Sequence, residues 1–594
     1  MSAGFAARLV SGSFLAAAVA LCSMQPVRQS AMAASTPAPR SFLRVGMWTL
    51  WHDREAALSP GNSARGFTVQ TCETCARRTV IQPVSLHAVG NSVRLLVAGK
   101  TEDVKQIETG GVVTFAAHGE RVTLSNAVVI TARAGVLVFA VRLPVESYVE
   151  RVVASESGSG DSLESLKALA IVVRSYALHE SHGHTDYNLC DSTHCQLLHW
   201  SGGAQARSAA AHAATLATAE ETLWFHKQRA LGYFHKDCGG RTATLDEIWP
   251  GAQPVAYLPS RVDPYCVAHG GRQWSTELTR TELTTVLAAH GLVRPGWRDL
   301  SIVQRGESGR AVTLRLDSME ISAEEFRLAV GESMGWNRIP STWFEVSRTG
   351  DNFLFHGRGW GHGVGLCQSG AAAMAAQGRS AQQILAQYFP GAVAADEATG
   401  HEWQSFSGRG FVLESLDARD ATYLPEMERA RAEAAERSGL NTSAPVTVRA
   451  FTSTAAFREA TLAPGWVAAF TEGAWIGTQP LRTLSERHLL AGTLRHEFLH
   501  SLLEGETGVN SPLWLREGLV EVWSEEAPHG APALPLSALD TALTGAATEA
   551  EAEAAHRAAA WYAARLLERY GREQVLTWLR SGIPAGVVTA FGQR

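Results

Sequence analysis

An α+β protein of several domains is what this sequence predicts, and three observations predict it. Short apolar runs punctuated by turn residues fill the chain to about residue 143; the apolar period switches to that of a helix at Val145; and beyond an alanine-rich change of composition near residue 400, long helical patterns take over. With 594 residues, 45% of them hydrophobic, the chain is long enough for several separate cores. The formal charge of −6 shows no basic excess, which excludes nucleic acid as an expected partner.

The elements follow in order. Arg8, the apolar run from Leu9 to Leu21 and the small-residue stretch Ala31-Met32-Ala33-Ala34 read as a signal peptide over residues 1–34. Export to the periplasm, cell envelope or exterior is therefore expected, with an uncleaved anchor as the alternative. The run is short for a membrane span, and none is expected later in the chain. Residues 35–41 form a small, proline-bearing tether. Residues 42–143 form a β-rich lead-in, with runs such as Ser92–Val97 and 135–141.

From Val145, two amphipathic helices flank the polar loop Glu156-Ser157-Gly158-Ser159-Gly160, and Ser162 is placed to cap the second helix. The domain opened by these helices is expected to run over residues 144–392, with a linker over 393–410 and a separate C-terminal domain over 411–594. No solenoid-length repeat is present.

Removing Cys22 with the signal leaves seven of the eight cysteines: Cys72, Cys75, Cys190, Cys195, Cys238, Cys266 and Cys367. An odd number cannot all pair, so an exported chain keeps at least one thiol free or on a metal. Cys238 and Cys266 are expected to form a disulfide, and Cys72-Glu73-Thr74-Cys75 is either a disulfide or half of a metal site.

From Gly357 to Gly370, glycine alternates with Arg358, Trp360, His362, Val364 and Leu366, then Cys367, Gln368 and Ser369. The spacing does not match the phosphate-binding glycine motifs. Backbone that can come close to a ligand, with Arg358, Trp360, His362 and Gln368 supplying stacking surface and polar contacts, suits a saccharide; the alternative is a tight structural corner.

Five islands share one resemblance: 145–178, Leu189-Cys190-Asp191-Ser192-Thr193-His194-Cys195-Gln196, Tyr233-Phe234-His235 with Cys238-Gly239-Gly240-Arg241-Thr242, Asp263-Pro264-Tyr265-Cys266, and the glycine run. Together they resemble the SpoIID/LytB family. The resemblance implies a β-rich domain whose helices bear a catalytic glutamate, in a secreted or membrane-anchored lytic transglycosylase that cleaves peptidoglycan glycan strands and leaves anhydro-muramyl ends. Glu156 stands at the position of the catalytic acid and base. A single carboxyl suffices for such chemistry, because attack by the sugar's own hydroxyl removes the need for a second one to activate water. Arg174 and Tyr176 match the family's helix and are expected to bind substrate, with a bracing role as the alternative for Arg174. The resemblance also implies that His184 (or His182), Cys190, His194 and Cys195 can hold a structural zinc ion, against the alternative of a Cys190–Cys195 disulfide. Two departures stand out: Ser157-Gly158-Ser159-Gly160 where members carry Met and Pro, and Cys367 and Ser369 around the glutamine.

In the C-terminal part, His496-Glu497-Phe498-Leu499-His500 lies in a helical pattern, so both imidazoles share one face with Glu497 beside them. Glu517 follows in Trp514-Leu515-Arg516-Glu517-Gly518, with Glu521 one turn later. These residues resemble the gluzincin-like metallopeptidases of the peptidase MA group. That resemblance implies a mainly α-helical zincin-like domain with zinc on His496, His500 and Glu517, and Glu497 as the catalytic base. The combined expectation is an exported peptidoglycan-remodelling protein whose partners are glycan strands and wall peptides. The alternative is a non-catalytic glycan-binding stimulator of a cell-wall amidase, with the C-terminal zinc site as the one active centre.

Overall fold

The computed structural model describes residues 42–62, 65–158, 161–179, 183–201, 209–268, 271–294, 296–441, 445–508, 510–524 and 534–592. The expected signal peptide, the tether and His182 lie outside the described residues. The chain is a multidomain α+β protein with a β-rich N-terminal region and a helical C-terminal part.

The lead-in builds two six-stranded antiparallel sheets, ordered by strand as Phe42–Met47, Val136–Pro144, Val128–Arg133, Gln106–Gly110, Phe67–Gln70, Arg78–Val80, and Glu120–Leu124, Val113–Ala117, Glu55–Pro60, Val84–Val89, Ser92–Val97, Lys100–Val104. Alternate residues such as Val45, Leu58, Phe115 and Phe139 turn inward into one shared cluster, as the period of two requires. Cys72 and Cys75 form a disulfide beside this module.

The long strand Val136–Pro144 runs directly into the helix Val145–Glu156, followed by the helix Leu163–Ala177. Ser162 occupies the cap position of the second helix, but its side chain caps nothing; its carbonyl instead accepts from Leu166 N and from the Ser165 hydroxyl. Arg174, expected to bind substrate, is completely buried. Its guanidinium donates to both Glu146 carboxylate oxygens (2.9 and 2.5 Å) and to the Glu221 carbonyl (2.9 Å), so it braces the two helices and cannot reach a ligand.

Two features differ from the expected domain plan. The stretch 273–358 forms a unit with its own apolar core: a sheet of Gln273–Thr279, Asn352–Arg358 and Phe344–Thr349, a second sheet of Leu300–Arg305, Ala311–Leu316 and Met319–Ser322, and the helices Arg280–Ala289 and Ala323–Met334. The segment 393–410, expected as a linker, carries two strands: Val393–Asp396 pairs with Glu221–Phe225, and Gln404–Gly408 begins the C-terminal sheet.

The C-terminal part is also less purely helical than expected. A mixed five-stranded sheet, ordered Gln404–Gly408, Phe411–Ser415, Val446–Ala450, Trp475–Thr478, Ala469–Glu472, shares a core with the helices Leu424–Ser438, Leu490–Glu504, Leu513–Ser524 and Glu549–Ser581. Arg449, buried in this sheet, pairs with Glu414 (2.8 Å) and crosses to Glu221 (2.5 Å) and the Ala219 carbonyl (3.1 Å), joining the two halves of the chain. No helix among the described residues is long and apolar enough to cross a membrane.

Truncating Arg174 leaves the Glu146 carboxylate buried and unpaired, a loss of about 3–5 kcal/mol. Arg174→Met is therefore expected to lower the urea midpoint of unfolding followed by tryptophan fluorescence; an unchanged midpoint with weakened glycan binding would restore the substrate-contact role.

Candidate active sites

Glu156 is the last residue of its helix. Ser157 turns extended after donating to the Val153 carbonyl, and Gly158 N closes the following loop on Asp161 (2.7 Å). Ser155 fixes the approach from the other side, donating to the Arg151 carbonyl (2.7 Å) and accepting from His199 N (3.0 Å). The half-buried Glu156 carboxylate accepts from Gln368 Nε2 at 3.5 Å, while Lys236 Nζ donates to the Glu156 carbonyl at 3.4 Å. Burial raises its pKa, opposed by the Gln368 amide, the Lys236 charge and the Leu197 N–H.

Gln368 arrives through the glycine run. Gly359, Gly361, Gly363 and Gly365 all have positive φ, and the chain packs against 233–239 so closely that a Cβ on Gly365 would lie 2.2 Å from the Tyr233 oxygen. The strand Leu366–Cys367 then pairs in parallel with Phe234–His235 and leads into the helix Gln368–Ala376. The run is thus a structural corner that brings the Gln368 amide to Glu156. Arg358 lies over Trp343 (3.6 Å), and Trp360 lies under Arg272 (4.0 Å). His362 sits among Tyr233, His235 and Trp249, its pKa pulled down to about 4 by burial. Among the described residues, no hydrogen bond or ring contact joins any of these three to Glu156 or Gln368; their ring contacts are those just named.

His184, Cys190, His194 and Cys195 do converge, with ligand atoms within 4.8 Å of one another. His184 Nε2 is 3.2 Å from Cys195 Sγ, and His194 Nδ1 is 3.7 Å from both sulfurs. Both thiols are free, so the alternative disulfide is not formed. The Tyr176 hydroxyl bonds Cys195, and the Tyr176 ring meets Tyr233 edge-on (5.9 Å), so this residue braces the cluster. Cys238 and Cys266 are likewise free thiols, which corrects the expected disulfide: they share a buried cluster with Cys367 and Asp263, and a two-sulfur bridge there would strand the third sulfur.

In the C-terminal part, the helix Leu490–Glu504 presents His496 and His500 one turn apart, with their Nε2 atoms 3.1 Å from each other. Glu517 Oε2, on the helix Leu513–Ser524, lies 3.4 Å from His500 Nε2. Burial draws the His496 pKa down to about 4 and that of His500 to about 3, and pushes Glu497 up to about 7. These residues line a cavity of about 710 Å³. Sequence reasoning missed three participants. Thr471 donates to Glu497 Oε2 (2.5 Å), and His556 bonds Glu521 (3.0 Å); both come from distant elements with no spacing relation to the motif. Lys236 directly follows the Tyr233-Phe234-His235 island, the one signal that pointed near it.

Residues 134–225 match the family described as stage II sporulation protein, SpoIID. Among curated relatives, stage II sporulation protein D of Bacillus subtilis (strain 168) is 25% identical over 264 residues, 42% of this chain and 74% of the relative. An uncharacterised protein of Brachyspira hyodysenteriae (strain ATCC 49526 / WA1) is 26% identical over 252 residues, 42% of this chain and 66% of the relative. These matches support the SpoIID family. An amidase enhancer of Bacillus subtilis (strain 168) is 22% identical over 294 residues, 40% of this chain but only 39% of the relative. Residues 271–365 match a domain of unknown function, DUF8618, which coincides with the unit that has its own core. The SpoIID match contains Glu156 and the His184/Cys190/His194/Cys195 cluster, whereas Gln368 and Lys236 reach the glutamate from beyond it.

The raised Glu156 pKa has a stability consequence whose sign is fixed. Below the unfolded carboxyl pKa of about 4.3 both states are protonated; above it the unfolded chain ionises first, so the native state loses stability as pH rises. Glu156→Gln, which cannot ionise, is expected to melt at the same temperature as the wild type at pH 4 and higher at pH 7.5. A lower melting temperature at pH 7.5 would show that the native site prefers the carboxylate.

Proposed function

We propose that this chain is an exported peptidoglycan-remodelling protein whose SpoIID-like part is a lytic transglycosylase with Glu156 as its acid and base. The observation that carries this reading is a single half-buried carboxyl held toward its protonated form, with an amide donor on it and no other carboxylate among the described residues contributing to its shift. The protonated Oε donates to the glycosidic oxygen; the resulting carboxylate accepts the proton of the sugar's own hydroxyl as the anhydro ring closes. Gln368 and the Lys236 charge favour the anion that exists between these steps, so the group is poised to give the proton up and take one back.

A second reading has one observation in its favour, the similarity to an amidase enhancer. In it the SpoIID-like part grips glycan without cleaving it and stimulates a separate amidase. Mass spectrometry of purified, peptide-free glycan strands decides between them. Anhydro ends are expected with the wild type and to fall by about 10²–10⁴-fold with Glu156→Gln; intact strands with both proteins, alongside undiminished amidase stimulation by the variant, would overturn the transglycosylase reading.

For the C-terminal part we infer a zinc metallopeptidase acting on wall peptides. The donor set fits the ion: two imidazoles held neutral by burial and a carboxylate, separated by 3.1 and 3.4 Å, against roughly 3.3 Å between ligands of a tetrahedral ion with bonds of about 2.0–2.1 Å. Bound zinc supplies Lewis acidity toward a peptide carbonyl. Glu497, oriented by Thr471, holds or moves the proton, and Glu521, itself fixed by His556, faces His496 Nδ1 at 4.0 Å. Cleavage of stem peptides is expected to stop on chelation and return with zinc. Glu497→Gln should retain zinc without cleaving and His500→Ala should lose zinc, both read by elemental analysis; peptide cleavage that survives chelation would sink this assignment.

A further inference from the structure

Three cysteines and an aspartate meet behind the glycine corner, and neither proposed activity uses them. Cys238 follows the strand Phe234–His235, Asp263 and Cys266 belong to the start of the helix Pro264–Ala268, and Cys367 ends the strand Leu366–Cys367. All four residues are completely buried, and their three sulfurs and one carboxylate oxygen lie within 4.8 Å of one another. A tetrahedral ion with thiolates at about 2.3 Å and a carboxylate at about 2.0–2.2 Å separates its ligands by roughly 3.5–3.8 Å, so little movement is needed to close on one.

Backbone amides face two of the three sulfurs, while the third, Cys266 Sγ, donates to the buried Asp237 carboxylate (3.3 Å). Cys367 Sγ accepts from Cys238 N (3.2 Å) and Gly370 N (3.4 Å), and Cys238 Sγ accepts from Gly240 N (3.3 Å). Asp263 accepts from Tyr265 N (3.1 Å), Cys266 N (3.0 Å) and the Tyr388 hydroxyl (2.8 Å), but among the described residues no basic side chain pairs with it. A buried carboxylate without a cation is costly. Buried Arg310, which donates to the Cys238 carbonyl at 2.9 Å, brings positive charge to the edge of the group without reaching the carboxylate. A disulfide would use two sulfurs and leave the third thiol and Asp263 as they are, whereas one dication satisfies all four.

We propose that Cys238, Cys266, Cys367 and Asp263 form a closed structural site for a divalent cation of zinc's class, distinct from the two clusters described above. Binding displaces the three thiol protons to solvent, while Asp263 binds as the carboxylate. The ion would tie three separate segments together at the first turn of the helix Gln368–Ala376, and so fix Gln368, the amide that meets Glu156. The site does not depend on which bond Glu156 cleaves or on whether it cleaves one.

The test uses the full chain purified with zinc and counts metal per chain by elemental analysis. Cys266→Ser is expected to lose one equivalent relative to the wild type. Cys190→Ser/His500→Ala, which leaves this cluster untouched while disabling the other two, is expected to keep one equivalent, and on replacement by cobalt(II) alone to show a thiolate-to-cobalt charge-transfer band. The proposal is overturned if that double variant holds no zinc, or if a non-reducing peptide map of the wild type finds a disulfide joining two of Cys238, Cys266 and Cys367. Should Cys266→Ser fail to fold, the double variant and the peptide map decide the question.

Discussion

The buried guanidinium of Arg174 is the interaction on which the rest of the arrangement depends. Its bonds to Glu146 lock the first turn of the helix that ends in Glu156 to the last turn of the next, at the end of the helix pair opposite Glu156, and so fix how the two helices pack. Its third bond, to the Glu221 carbonyl, extends the lock to a residue whose side chain meets Arg449 of the C-terminal sheet. Two fully buried arginines and three carboxylates thus relay from the Glu156 helix to the second half of the chain. Desolvating such charges is expensive, and removing any one partner exposes that cost, which makes the network a stronger constraint on geometry than on net stability.

The glycine corner is the complementary constraint. At Gly363 an added Cβ would lie 2.4 Å from the Arg310 guanidinium, and at Gly365 it would collide with the Tyr233 carbonyl. Both positions have positive φ, so a side chain is excluded by conformation as well as by space. The bulky residues between these glycines serve the corner itself: Trp360 and Arg358 form cation–π contacts with Arg272 and Trp343. What the corner exports to the site is one amide, Gln368.

Local patterns carried much of this into the sequence. The period change at Val145 marks the true start of a helix, the i, i+4 spacing of His496 and His500 puts their nitrogens 3.1 Å apart, and the closely spaced His184, Cys190, His194 and Cys195 do converge. What could not be read is what tertiary structure decides. Arg174 in a matching helix looks the same whether it faces a groove or a core, and only burial separates the two. Thr471 and His556 join the C-terminal cavity from a strand and a helix that share no spacing with the motif. The unit at 273–358 was invisible as a unit because its strands are short and its closure depends on pairing Gln273–Thr279 with Asn352–Arg358, across almost the whole segment. Cys238 and Cys266 invite pairing in a list of cysteines; Cys367, 101 positions beyond Cys266, is what changes their chemistry.

One physical effect serves both candidate sites with opposite signs of charge. Burial disfavours whichever form is ionised, so it keeps the Glu156 carboxyl toward its protonated state and the His496 and His500 imidazoles toward their neutral state. For an acid catalyst and for metal ligands alike, that is the form the proposed chemistry starts from. The difference lies in what offsets the burial. At Glu156 an amide and a lysine charge pull back toward the anion, leaving a group able to cycle. At His500 the neighbouring Arg516 charge pushes the same way as burial, away from the imidazolium, and at His496 the nearby carboxylates recover only part of the loss. A residue meant to exchange protons is balanced between its states, and a residue meant to hold an ion is committed to one of them. Under the proposed function that contrast fits proton transfer by Glu156 and Glu497, both raised by burial and both opposed by a hydrogen-bond donor, and metal ligation by His496 and His500.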